Sequence, residues 1–187
     1  MKKDEAQIEE LVLASQRGES DAFGKLYDIF VDSIYRYIYF RVGTEEAEDL
    51  TELVFLKTWE NIKHYKKSTH TFSSWLFRIA HNLVVDYYRA HRHNGELTED
   101  LQDFREEANT PARTHRHFDQ TALAAGMKDL KDTYRQILIL KYVNDLSYEE
   151  IGFIMDRSQA ALRILQFRAL KNLRRIIEKM GISEEDV

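Results

Sequence analysis

The chain has 187 residues, 43% of them hydrophobic and 32% charged, with a formal net charge of −5. It holds no cysteine, which excludes a disulfide framework, a thiol nucleophile and a cysteine-based zinc site. One proline and 7 glycines are too few for a turn-rich β protein, so the expected class is all-α. The first twenty residues carry no apolar run of signal-peptide length, and no stretch is long enough to span a membrane, so the expected location is the cytoplasm.

A first helix is expected over residues 5–16, with Ile8, Leu11, Val12 and Ser15 on one side. Arg17-Gly18-Glu19 breaks it, and Ser20 is placed to cap a second helix. That helix carries Phe23, Leu26, Tyr27, Phe30, Ile34, Tyr37, Ile38 and Val42 as a core stripe and ends at Gly43. Thr44 then caps a third helix over residues 45–62. Its apolar side is Leu50, Val54, Phe55, Trp59 and Ile62, and another side gathers Glu45, Glu48, Asp49, Glu52 and Glu60. Such a carboxylate stripe is a solvated face that is also long enough to meet a basic helical partner.

The loop over residues 63–70 mixes cations, hydroxyls and Tyr65; by itself this is the make-up of a polar connector, and it can also hold unstacked bases. A strong amphipathic helix is expected over residues 72–93. Phe72, Trp75, Leu76, Ile79, Ala80, Leu83, Tyr87 and Ala90 form one face. Arg78, Asn82, Asp86, Arg89 and Arg92 form the other, a basic and amide-bearing surface compatible with nucleic acid. Residues 94–117 hold dense acids and the lone Pro111 without sustained periodicity, which predicts a flexible linker. The expected division is a domain over 1–94, a linker over 95–118 and a second domain over 119–181, in which helices at 119–130 and 133–143 lead into the last motif.

That motif, LSYEEIGFIMDRSQAALRILQFRALKNLRR, spans residues 146–175. Ser147 and Glu150 have capping-box spacing, and Gly152 is small enough for a close helix crossing. Asp156 tolerates the left-handed backbone of a tight turn, and Ser158 caps a longer helix whose core side is Leu162, Leu165, Ala169, Leu173 and Ile176. This is the anatomy of a helix-turn-helix, which places one helix end in the DNA major groove. An acidic chain that binds DNA must gather its cations on particular faces, as Arg163, Arg168, Lys171, Arg174 and Arg175 do.

Catalytic signals are lacking. His91 and His93 are two apart, as are His115 and His117, whereas ligand pairs on a helix prefer three or four. There is no glycine-rich phosphate loop and no nucleophile elbow. No enzyme activity, metal or cofactor is expected.

Three stretches together resemble a bacterial ECF (extracytoplasmic function) RNA polymerase sigma factor. AEDLTELVFLKTW, residues 47–59, is similar to that family's core-polymerase-binding helix. FSSWLFRIAHNLVVDYYRAHR, residues 72–92, looks like its helix for −10 promoter recognition and melting, and the final motif resembles its −35-binding helix-turn-helix. The resemblance implies docking on core RNA polymerase through Glu48, Asp49, Leu50, Glu52, Phe55 and Trp59. It implies contact with melted −10 DNA through His64, Lys66, Lys67, Arg78, Asn82, Asp86, Arg89 and Arg92. Duplex −35 DNA would meet Ser158, Gln159, Arg163, Gln166, Arg168 and Lys171. It further implies a monomer when free, an anti-sigma factor that holds the protein inactive, and no membrane partner.

This sequence departs from the family pattern in two places. Glu52 and Leu53 stand where the docking helix usually carries Gln then Glu, and Ala161, Arg163, Ile164 and Leu165 replace a Thr followed by a Lys-Ser-Arg run. Fewer hydrogen-bonding side chains then remain for base edges, which shifts −35 binding toward phosphates and shape, or turns Ile164 and Phe167 toward a protein partner. The rival reading is a ligand- or partner-regulated helix-turn-helix regulator, which would dimerise and bind a palindrome alone.

Overall fold

A computed structural model describes residues 5–67, 70–93 and 126–180, with backbone alone at 44, 92 and 93. Every regular element among them is helical, and they fall into two units. The linker expected at residues 95–118, residues 119–125 of the helix expected at 119–130, and the tail from 181 lie outside the described residues.

The first unit is built from α1 (Glu5–Gln16), α2 (Ser20–Val42), α3 (Thr44–Asn61), a 3₁₀ turn (Ile62–His64) and α4 (Phe72–His93). The helix α2 is the spine, and α1, α3 and α4 all pack on it. Its stripe Leu26, Phe30, Ile34, Tyr37 and Ile38 is at most 1% exposed. Opposite lie Ile8 and Val12 of α1, Val54 of α3 and Leu76, Phe77, Ala80 and Val84 of α4. Edge-to-face ring pairs join the layers: Phe30 to Phe72 at 5.6 Å and Tyr37 to Phe77 at 5.5 Å. Phe77 and Val84 are core residues that the eight-residue apolar face expected for α4 omitted, whereas Ala90 of that face is exposed. The true face is wider, because α4 meets both α2 and α3.

Polar groups inside this unit are satisfied locally. Buried Thr51 and Thr58 donate to the carbonyls of Ala47 and Val54, four residues back, at 2.6 and 2.7 Å. The Arg41 guanidinium, only 4% exposed, donates to the Tyr37 hydroxyl at 2.8 Å. Gln16 closes the end of α1 by donating to the carbonyls of Ile62 and Tyr65, both at 2.9 Å.

Two expected caps are displaced by one residue. Ser20 is the first residue of α2, and Glu19 is its extended N-cap without a side-chain bond. Likewise α3 starts at Thr44, with Gly43 between the helices at φ 95°. A single glycine thus ends one helix and opens the next, since its φ suits a chain reversal that a Cβ would strain.

The remaining elements are α5 (Asp132–Leu138), a π-type turn (Ile139–Val143), α6 (Tyr148–Met155) and α7 (Gln159–Lys179). The helix expected over 133–143 therefore changes pitch midway, and the Asn144 N–H reaches the Ile139 carbonyl five residues back at 3.0 Å. The Asn144 side-chain amide donates to the same oxygen at 3.1 Å. Helix α5 packs along α7 and buries Ile137 and Leu138, while Ile139 and Leu140 of the turn are equally buried.

The capping box forms as expected. Ser147 Oγ accepts from the Glu150 N–H at 3.2 Å, and Glu150 Oε2 accepts from the Ser147 N–H at 2.9 Å. Asp156 sits at φ 54° in the turn. Ser158 Oγ accepts from the Ala161 N–H at 3.2 Å and starts α7, whose Leu162, Ala169 and Leu173 are buried. Gly152 is needed for a more local reason than a helix crossing. A Cβ there would stand 2.9 Å from the Arg157 carbonyl oxygen, so the turn folds back directly over this residue.

Candidate functional site

Three exposed surfaces carry the residues singled out above. The first is the outward side of α3. Glu45, Glu48, Asp49, Glu52 and Glu60 are all exposed, and Leu50 is half-buried. Between these acids stand Leu53, Leu56 and Trp59 at 36%, 54% and 38% exposure. Phe55 is not on this surface. It is buried, with its ring 4.6 Å from that of Tyr27, so it supports the helix from beneath. Trp59 is anchored edge-on against Phe23 at 4.9 Å, which leaves one side free. Leu53 was noted in the sequence only as a departure from the family pattern, and Leu56 was missed, because both fall outside the stripe that packs inward; their signal is being large and apolar on a side that is otherwise charged.

The second surface joins the loop after α3 to the outer face of α4. His64, Lys66 and Lys67 are exposed, and Lys67 forms an ion pair with Glu9 of α1. Tyr65 does not present its ring for stacking. Its hydroxyl donates to the His70 carbonyl at 2.8 Å, and its ring packs on Phe72 and Trp75 at 5.5 and 5.3 Å. Burial pushes its phenol above the ordinary range. On α4, Asn82, Asp86 and Arg89 are exposed at helical spacing, with Arg89 Nη1 3.4 Å from Asp86 Oδ1. Arg78 is half-buried, and the Arg92 side chain lies outside the described residues. His81 turns inward, with Nδ1 3.4 Å from the Tyr37 hydroxyl, and His91 Nδ1 lies 2.8 Å from the Tyr87 carbonyl. Among the described residues no group of three or more His, Asp or Glu is placed to hold a metal ion.

The third surface is α6, its turn and the start of α7. Gln159, Arg163, Arg168 and Lys171 are exposed. The Ser158 hydroxyl is occupied in capping the helix. Gln166 is half-buried and committed within the protein: it accepts from the Tyr148 hydroxyl and donates to that of Tyr142. Arg163 and Lys141 both lie against the Tyr148 ring, at 5.3 and 5.2 Å from its centre. Tyr148 thus fixes Gln166 through its hydroxyl and leans on Arg163 through its ring, two cation–π contacts that steady the long cationic side chains. Sequence spacing gave no warning of this, since Tyr148 opens α6 and reaches α7 only through the turn.

No described helix is long and apolar enough to cross a membrane. Residues 26–94 match the family Sigma-70 region 2, and residues 121–173 match Sigma-70, region 4. The ECF RNA polymerase sigma factor BldN of Streptomyces coelicolor is 35% identical, over 93% of this chain and 67% of its own length. SigM of Bacillus subtilis, also an ECF RNA polymerase sigma factor, is 29% identical over 86% of this chain and 98% of its own. Among solved structures, CnrH in complex with the cytosolic domain of CnrY aligns at a TM-score of 0.70 and 20% identity, covering 94% of this chain and 99% of that one. The sigma factor RpoE of Bartonella quintana, in complex with the anti-sigma factor NepR, aligns at 0.64 and 18% identity over 83% and 96%. These likenesses favour the first functional reading over the dimeric regulator. With a region 2 match on its first unit, a region 4 match on its second, and relatives aligned over nearly its whole length, this chain belongs to the ECF RNA polymerase sigma factors.

Proposed function

We propose that the protein docks on core RNA polymerase through the outer side of α3 and uses its other two surfaces to place the enzyme on promoter DNA. The observation that carries this is the composition of α3. Three exposed apolar side chains, Leu53, Leu56 and Trp59, lie among five exposed carboxylates. Exposed apolar groups rimmed by charge mark protein contacts. A basic partner surface satisfies the rim while the apolar centre is buried. Glu48, Asp49, Glu52, Leu50 and Trp59 belong to this contact, with Phe55 shaping it from within.

The α4 surface then holds single-stranded −10 DNA. Asn82 and Asp86 offer hydrogen-bonding groups to an unstacked base, and His64, Lys66, Lys67, Arg89 and Arg92 offer cations to phosphates. Arg78, half-buried, is a lesser contributor. Lys67 and Arg89 rest on Glu9 and Asp86 in the free protein. The Arg89–Asp86 pair is exposed and worth at most about 1 kcal/mol, and Lys67 is itself exposed beside the half-buried Glu9, so phosphate displaces the carboxylates at small cost. On the second unit, Gln159, Arg163, Arg168 and Lys171 contact duplex −35 DNA, Ser158 sets the helix start, and Gln166 braces the surface instead of reading a base. The chemistry of RNA synthesis is the polymerase's; this chain supplies binding and orientation, in the cytoplasm, as a monomer when free. An anti-sigma factor would inhibit it by covering the apolar centre of α3.

Run-off transcription from a genomic fragment library with core polymerase tests the reading. Discrete transcripts that depend on the added chain are expected, together with co-elution of chain and core. Absence of both would overturn it.

A further inference from the structure

The outer strip of α7 is chemically unlike a purely phosphate-binding helix. Ala160, Arg163, Ile164, Phe167 and Lys171 are all exposed and share one side at helical spacing. Ile164 is 55% exposed and Phe167 is 70% exposed, the largest value among the exposed large apolar side chains. The opposite side of the helix, with Leu162, Ala169 and Leu173, is spent on the core. A recognition helix enters the groove by its N-terminal part, so the Ile164–Phe167 side is the one left to meet base edges. Phe167 is eight residues past Gln159, about 12 Å along the axis, and the major groove is about 12 Å wide. Both apolar groups therefore fit within the groove, flanked by the cations Arg163 and Lys171, whose charge complements the phosphate walls. The feature of the major groove that answers an apolar side chain is the 5-methyl group of thymine.

We infer that Ile164 and Phe167 read thymine methyl groups in the upstream duplex element, so that specificity there comes from apolar contact. This rests on the proposed −35 role of α7. Both side chains are exposed, and alanine is a better helix former than either, so Ile164→Ala and Phe167→Ala leave the fold intact.

The test uses holoenzyme made with the full chain. Active promoters are selected by transcription from a pool randomised across the upstream element. Each thymine of the selected duplex is then replaced by deoxyuridine, which deletes only the methyl. At one or two positions the wild-type holoenzyme should bind about fourfold more weakly, the value of one buried methyl. Ile164→Ala or Phe167→Ala should abolish that sensitivity, and Ile164→Val should keep it. Arg168→Ala should retain it while lowering the salt dependence by about one phosphate contact. Uracil substitutions that are silent with the wild-type chain would overturn the inference, as would methyl sensitivity that survives in both alanine variants. Alanine variants that bind the duplex normally but lose polymerase would reassign the strip to a protein contact. A pool that yields active promoters with no preferred upstream sequence would overturn the −35 role of α7 itself.

Discussion

Gly152 offers the sharpest check on how the helix-turn-helix is held. In the middle of an exposed helix, Gly→Ala stabilises by about 1 kcal/mol. Here the added Cβ stands 2.9 Å from the Arg157 carbonyl oxygen, a backbone atom that cannot rotate aside as a side-chain end would. Arg157 is tied back by its own N–H to the Gly152 carbonyl at 3.1 Å, between Asp156 at φ 54° and the Ser158 cap. Relief must come from moving the turn, and overpacking of this kind costs about 1–3 kcal/mol. With the rigid obstacle placing the cost at the upper end, the net effect is a loss of about 1–2 kcal/mol, or about 5–10 °C for a unit of this size. Gly24 of α2 is the matched control, since a Cβ there meets nothing within 4 Å and the residue lies within a helix. Gly24→Ala should raise stability by about 0.5–1 kcal/mol. Calorimetry on each full-length variant reads both. A Gly152→Ala chain that melts at or above the wild-type temperature would refute the argument, because the predicted signs are opposite.

Three further outcomes are expected. Asp49→Lys places a cation among the exposed acids of α3 and should weaken core polymerase binding about tenfold or more, with an unchanged helical spectrum; unaltered affinity in a pull-down titration would remove α3 as the docking helix. Asn82→Ala should reduce promoter opening, followed by permanganate reactivity, about tenfold while polymerase binding holds, whereas equal loss of both would make Asn82 structural. Burial, with a lesser contribution from Glu46, raises the Tyr87 phenol above its ordinary value of 10.0, so the folded state holds that proton more tightly than the unfolded chain. Its stabilisation is full below about pH 10 and is lost as pH rises further, so Tyr87→Phe should flatten the fall in denaturant midpoint above about pH 10.

The helical frame was legible because burial and period coincide. The bounds of α1 and α4 agree with the spacing of Ile8 and Val12 and of Phe72, Leu76 and Leu83, all of which are buried. Capping was legible where a hydroxyl bonds its own helix, as at Ser147 and Ser158, and misplaced by one residue where backbone alone ends the helix, at Glu19 and Gly43. The midway change of α5 into a π-type turn had no sequence signal, since Ile137, Leu138, Ile139 and Leu140 are all apolar and all buried, and an unbroken run carries no period. The surfaces were harder still. Spacing placed Phe55 on the apolar side of α3, where it is buried, but the make-up of the loop over residues 63–70 did not show that the Tyr65 ring packs inward on Phe72 and Trp75.

What separates the bracing residues from the contact residues is how their polar atoms are already used. Gln166 spends its oxygen and nitrogen on two tyrosines, so reading a base would mean breaking two internal bonds. Each is worth about 1 kcal/mol, and the half-buried Tyr148 hydroxyl would lose its partner as well, whereas water reaches the hydroxyl of the exposed Tyr142. Lys67 and Arg89 are also engaged, but their own side chains are exposed, Arg89 beside the exposed Asp86 and Lys67 beside the half-buried Glu9, so water replaces the lost partner at small cost. A nucleic-acid phosphate is a stronger acceptor for a cation than either carboxylate, and its binding releases counterions besides. We propose that similar engagement in the free protein has different meanings: Gln166 would be a scaffold that shapes the start of α7, and Lys67 and Arg89 would be cations held near the positions where DNA phosphates take them. The prediction that follows is kinetic: Glu9→Gln, which frees Lys67, should speed association with single-stranded DNA at low salt and leave thermal stability within about 0.5 kcal/mol of wild type. Slower association, or a large loss of stability, would show that the Glu9–Lys67 pair is structural and that the distinction drawn from engagement fails.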